Sequence, residues 1–246
     1  MKTKSLVRFL NRAAHFNADI ELLDVFYAAN NRNILAQNDR SKIFDDVNTD
    51  KHPTLSARPR TPKGRKSAII HLKATVYSSF IKDLYEDLTI YFREILNHAA
   101  NNKIDPNRLI GSCSIQIDAK SILECGGWNE ITTMITDKIF RQLENKKDTK
   151  KLIEEMNNKL GLLIQQDTIE SALPYFELRH LLVHADGVAD KKFCDSFPNF
   201  GAIVGEKIKL DYTLITNARN AVKSLIIAFD NAVVSKSIVA RNELQP

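Results

Sequence analysis

A chain of 246 residues that is 43% hydrophobic and 26% charged can bury a sizeable core and is neither disordered nor membrane-like in composition. No apolar run approaches bilayer-spanning length, and Met1 to Phe9 lacks the apolar stretch and cleavage site of a signal peptide, so a cytoplasmic protein without membrane contact is expected. Cys113, Cys125 and Cys194 are odd in number and have no C-x-x-C spacing, which suits a reducing compartment, while the net charge of +5 is modest but unevenly spread.

Ser5 to His15 is compatible with a short helix, and Asp19 to Gln37 predicts another with Ile20, Leu23, Phe26 and Tyr27 turned inward. Between Ala57 and Lys66 the chain reads ARPRTPKGRK. It carries Arg58, Arg60, Lys63, Arg65 and Lys66 without an acid, and Pro59, Pro62 and Gly64 predict a loop rather than a regular helix. Such a loop can bind an RNA backbone or an acidic partner, or serve only as a solvated linker. The longest periodic signal runs from Ser67 to Ala100, where Ile69, Leu72, Val76, Phe80, Leu84, Leu88, Phe92 and Ile95 mark one face, with Lys73, Lys82, Asp87 and Arg93 opposite.

Residues 105 to 127 predict a loop with at most one short helix at Ala119 to Glu124. Helices follow at Trp128 to Asn145, through Ile131, Ile135 and Ile139, and at Thr149 to Leu163, joined by a lysine-rich connection. The next helix is expected to begin near Ser171, with Pro174 in its first turn, and to stop at Asp186-Gly187. Residues 188 to 210 read as an irregular insertion, in which Phe193, Phe197 and Phe200 seal the bundle end. Ile203-Val204 and residues 207–210 can pair there as a hairpin across Gly205-Glu206. Asp211 is placed to cap a last helix reaching Ile238, with Ile215, Ala218, Val222, Leu225, Phe229 and Val233 facing the core. These elements predict an all-α bundle of long antiparallel helices at 67–246, with residues 1–66 as a helical extension packed on it.

The segment from Glu177 to Gly187, ELRHLLVHADG, joins Arg179 to His184 inside an otherwise apolar helix. A guanidinium fork suits a phosphate, and an imidazole, ordinarily titrating at about pH 6.5, can move a proton beside it. Arg, a polar residue, three apolar residues and His resembles the R-x4-6-H signature of HEPN ribonucleases, with His180 in the polar position. The likeness is close from 177 to 187 and looser over the helical pattern from 67 to 238. The motif resembles that of RiboL-PSP-type HEPN proteins among other subfamilies, from which it does not separate them.

That resemblance implies a bundle of four to five helices working as a homodimer, with the two motifs facing each other in a composite site. It implies metal-independent cleavage of RNA by its own 2′-hydroxyl, with no cofactor. Arg179 would hold the scissile phosphate, His184 would move protons, and His180 would orient or assist. Glu86 and Asp83 are candidates to orient Arg179. Many relatives are toxins or effectors of prokaryotic defence, including abortive infection, so an antitoxin or defence-system partner belongs to the expectation.

Other readings of the same residues stay open. Arg179 can be a plain ion-pairing residue and His184 a cation favoured by a helix C-terminus. His180 and His184, four apart, can hold a metal with Asp186 or Asp190, although an H-E-x-x-H glutamate is absent. A non-catalytic HEPN-type interaction or RNA-binding module is the main alternative function. Nucleotide chemistry has neither a P-loop nor a G-x-G-x-x-G pattern to support it.

Overall fold

The computed structural model describes residues 1–35, 48–57, 61–102, 104–111, 113–145 and 148–246. Leu6, Phe9, Ala13, Ile20 and Leu23 stay in phase across the stretch between the two expected N-terminal helices, so the chain runs through as one, α1 (Lys4–Leu35). Phe26, expected inside, is 48% exposed, because the buried stripe ends at Leu23. A single turn, α2 (Pro53–Ser56), precedes α3 (Pro62–Asn101).

α3 starts inside the segment expected to be a loop. Pro62 occupies the first helical position, where its missing N–H forfeits no hydrogen bond, and Thr61 caps the helix by accepting from the Gly64 N–H at 3.1 Å. From Tyr77 onward α3 buries a broad face including Phe80, Ile81, Leu84, Leu88, Tyr91 and Phe92, whereas Leu72 is half exposed. Lys73, expected opposite the core, pairs instead with Asp24 of α1 at 2.7 Å and lies 4.1 Å from the Tyr27 ring centroid. Asp87 likewise pairs with Arg12 at 2.8 Å. Both charges therefore lie along the α1–α3 seam.

Residues 105–127 contain two short helices rather than one, α4 (Pro106–Ile110) and α5 (Ala119–Glu124). α4 is held from outside. The buried Lys159 donates Nζ to the Leu109 and Ile110 carbonyls at 2.9 Å each, taking up acceptors that the end of so short a helix leaves open. Lys159 belongs to α7 (Thr149–Leu160), which follows α6 (Trp128–Glu144) and stops at Gly161 in the left-handed region, φ 62°.

α8 (Gln166–His184) begins before the expected Ser171, so Pro174 lies in its interior. The proline denies a hydrogen bond to the Glu170 carbonyl, but Glu170 is exposed and water can take that role. The helix ends as expected, with Asp186 and Gly187 at φ 52° and 79° and the Gly187 N–H returning to the Leu181 carbonyl at 3.0 Å.

The expected hairpin at 203–210 is not formed. Residues 205–208 pair with the chain leaving α8: Ala189 donates to Glu206 at 2.9 Å, Gly205 to Ala189 at 2.8 Å, and Ile208 to Gly187 at 2.9 Å. Gly205, at φ 83°, turns the chain, which leaves Ile203 and Val204 exposed instead of paired. Between the paired stretches lies α9 (Lys191–Ser196), capped by Asp190. Phe193 packs against Phe197 and Phe200 at centroid distances of 5.2 and 5.1 Å, closing that end of the bundle.

α10 (Tyr212–Ser235) is capped by Asp211, which accepts from the Leu214 N–H at 2.9 Å, and all six residues expected to face the core are buried. α3, α8 and α10 pack on one another, and α1 lies against α3 and α10. A single apolar cluster runs from Leu6 of α1 to Val239, beyond α10. The fold is all-α apart from β1 (Lys2–Thr3), paired antiparallel with β2 (Leu244–Gln245). Among the described residues no helix is long and apolar enough to cross a membrane.

Candidate active site

At about 100° of turn per residue, Ile169, Ala172, Leu173 and Phe176 share one face of α8, and His180, Val183 and His184 continue it. The first group is buried; the second is exposed. Phe176 is covered by α3, where Tyr85 meets it edge-on at 6.0 Å. One turn later that cover ends. The last turn of α8 thus presents two imidazoles and a valine on a face that is interior elsewhere in the same helix.

The rings of His180 and His184 lie 4.6 Å apart between centroids and are tilted by 49°. His184 is the final residue of the helix. Arg179 takes another direction. The five residues from Arg179 to His184 rotate the helix by about 140°, so one chain does not aim guanidinium and imidazole along a common line. Arg179 is half-buried, with Cζ 4.7 Å from the centroid of the Tyr85 ring. Its Nε is the one buried side-chain nitrogen or oxygen without a hydrogen-bond partner among the described residues. Buried polar atoms are nearly always satisfied, which makes this unused donor informative.

The surroundings of Arg179 are acidic as well as aromatic. Burial raises the Glu144 carboxyl above its usual range, and the Arg93, Arg141 and Arg179 cations pull against that rise. Burial also raises the Tyr85 phenol, helped by the Glu144 charge and opposed by Arg179. Glu86 and Asp83, the expected partners, form no hydrogen bond or ion pair with Arg179 among the described residues. Burial and the Glu86 charge raise the Asp83 carboxyl.

Tyr85 is the residue that sequence reasoning missed. A signal existed: Tyr77, Ile81 and Tyr85 recur at intervals of four beside the Phe80, Leu84 and Leu88 series, which foretells a second apolar stripe on α3.

The described part of the basic segment lies elsewhere. Arg58 and Arg60 fall outside the described residues, the side chain of Arg65 is not described, and Lys63 and Lys66 are exposed in the first turns of α3. From Lys66 to Tyr85 the helix rises about 28 Å, so Lys63 and Lys66 are not brought to Arg179 within one chain. The carboxylates proposed to complete a metal site are engaged: Asp186 with Lys207 at 2.5 Å, and Asp190 as the α9 cap, accepting from the Phe193 N–H at 2.7 Å. Among the described residues no three His, Cys, Asp or Glu side chains gather as a metal site. A groove of about 590 Å³ between Tyr175 of α8, the 199–211 segment and the first turns of α10 is lined by none of Arg179, His180 and His184.

No protein-family model, curated protein or solved structure matches this chain.

Proposed function

We propose that the chain is a metal-independent endoribonuclease of the HEPN type. The observation that carries the reading is that the last turns of α8 hold two exposed imidazoles, 4.6 Å apart, and, on another side of the helix, an arginine over an aromatic ring. In the reaction, an imidazole takes the proton of the RNA 2′-hydroxyl and the resulting oxygen attacks the adjacent phosphorus. The bond to the 5′-oxygen breaks, and that oxygen leaves with a proton from an imidazole. The products are a 2′,3′-cyclic phosphate and a 5′-hydroxyl. Arg179 steadies the charge on the phosphoryl oxygens, His184 moves protons, and His180 orients or assists.

A second copy completes the site in this proposal. Arg179 and His184 diverge within one chain, and the uncovered face bearing His180, Val183 and His184 is where two copies can meet. Light scattering is therefore expected to return twice the 27.9 kDa chain mass, with or without RNA. A strict monomer in both conditions removes the composite site. A role as a toxin or effector in prokaryotic defence, restrained by an antitoxin or other partner, is the biological reading that the HEPN resemblance supplies.

Cleavage tests the chemistry directly. Unpaired RNA is the expected substrate, because its sugar can reach the in-line geometry that an A-form duplex restricts. Activity should persist in excess EDTA, and a 2′-deoxy oligonucleotide should resist. Cleavage that stops on chelation and returns with zinc or magnesium moves the assignment to the His180/His184 metal reading. The acidic neighbourhood of Arg179 favours one competing view, in which the arginine is a structural ion-pairing group of a non-catalytic HEPN-type interaction or RNA-binding module.

A further inference from the structure

Tyr85 touches two residues of α8 lying one turn apart. Arg179 Cζ stands 4.7 Å from its ring centroid, and the Phe176 ring meets it edge-on at 6.0 Å. The ring is thereby fixed on one side by the core and offers its face to the cation on the other. Nothing else of comparable directionality orients the guanidinium among the described residues. Its Nε has no acceptor, and Glu144, the acid that most influences this corner, pairs with Arg93 at 3.8 Å.

We infer that Tyr85 is the positioning residue of Arg179, its ring fixing the plane of the guanidinium so that the fork meets a phosphate already ordered. An arginine in water samples many rotamers, all but a few of which are lost when it grips a phosphate; a stacked arginine has lost most of them beforehand. A flat ring suits this better than a carboxylate would. A carboxylate at the same place would occupy the N–H donors that the substrate needs, whereas a ring face holds the cation and leaves them free. The inference rests on the ribonuclease reading above. Stacking in the opposite sense, as a latch that keeps Arg179 from substrate, predicts the reverse sign in the same experiment.

The test uses full-length Tyr85→Phe and Tyr85→Met, with Tyr85→Leu as a second ring-free variant should the Met protein be unstable. Each is assayed for cleavage of a single-stranded RNA oligonucleotide, for binding of its uncleavable 2′-deoxy counterpart, and for thermal unfolding. Tyr85→Phe keeps the ring and should stay within about twofold of wild type in cleavage and binding. Tyr85→Met fills the space without a ring and should lower kcat/KM roughly tenfold, with weaker binding of the uncleavable strand. In an Arg179→Ala background the same change should weaken that binding no further, because the two side chains act as one unit, whereas a general packing defect would add its own loss. Cleavage by Tyr85→Met at or above the wild-type level, or additive losses in binding, overturns the inference. If Arg179→Ala and His184→Ala cleave like wild type, it is the ribonuclease reading that falls. If both are dead while Tyr85→Met matches wild type, only the role of Tyr85 falls.

Discussion

His184→Ala is expected to lower RNA cleavage ~100- to 10,000-fold, the range lost when a general acid-base group is removed, while folding and dimerisation stay near wild type. The expectation of an intact fold comes from position. His184 is exposed at the last residue of α8, so truncating it opens no cavity in the core. Arg179→Ala should be comparably inactive and should also weaken RNA binding. Because Arg179 is half-buried against Tyr85, Arg179→Lys is the informative companion: it keeps the charge but loses the planar fork and most of the stacking, so it should bind RNA and cleave it poorly. The assay is cleavage of a labelled single strand with the product ends identified. Full activity of His184→Ala, in a preparation free of contaminating ribonuclease, sinks the catalytic assignment. Loss of folding in that variant makes His184 a helix cap.

The helices were legible in the sequence wherever one apolar stripe decides an element. Ile215, Ala218, Val222, Leu225, Phe229 and Val233 repeat at three and four, and Asp211 precedes them; nothing competes with that pattern, and α10 follows it. The stop of α8 at Asp186-Gly187 was readable for a similar reason, since a glycine at positive φ is a local property. Local rules also misled where a longer-range term overrode them. Pro62 reads as part of a loop and Pro174 as a first-turn residue, yet Pro62 starts a helix at a position where no N–H is needed, and Pro174 lies inside a helix whose buried side chains on either side outweigh one lost bond.

The candidate site was legible in its identities more than in its geometry. Arg179, His180 and His184 stand out by residue type, and their approximate directions follow from helical rotation. What the rotation leaves open is the surrounding cover: where α3 stops shielding α8, and that Tyr85 rather than Glu86 or Asp83 meets the guanidinium. The false hairpin has the same cause. Ile203-Val204 and 207–210 are well patterned to pair with each other, but the chain leaving α8 offers a competing edge, and sequence proximity carries no information about which edge wins.

Asp230→Ala is expected to destabilise the fold by on the order of 3–5 kcal/mol, although residue 230 lies on the flank of the predicted α10 stripe rather than in it. The structure buries it completely. Its carboxylate accepts from the Thr3 N–H at 3.1 Å, from the Thr3 hydroxyl, and from the Tyr91 hydroxyl at 3.2 Å, so one side chain ties β1, α3 and α10 together. Burial, then the Asp230 charge, raises the Tyr91 phenol well above its ordinary range, which keeps that hydroxyl a donor at any physiological pH. Alanine would strand three buried donors at once and open a small cavity beside them, each donor costing about 1–3 kcal/mol if water cannot reach it. Asparagine keeps one carbonyl acceptor, and both hydroxyls can rotate to accept from its amide, so Asp230→Asn should lose roughly half as much. Urea unfolding read by far-ultraviolet circular dichroism measures the difference, provided the denaturant slope is unchanged between variants. Thr3→Val should couple to Asp230→Asn in a double-mutant cycle, since the two side chains share one network. A loss under about 1 kcal/mol in Asp230→Ala would mean that water replaces the carboxylate at little cost. The start of α1 would then be held by the burial of Leu6 and Phe9, the β1–β2 pairing and the Arg8–Glu94 ion pair, and removing the two apolar side chains would loosen it more than removing the carboxylate.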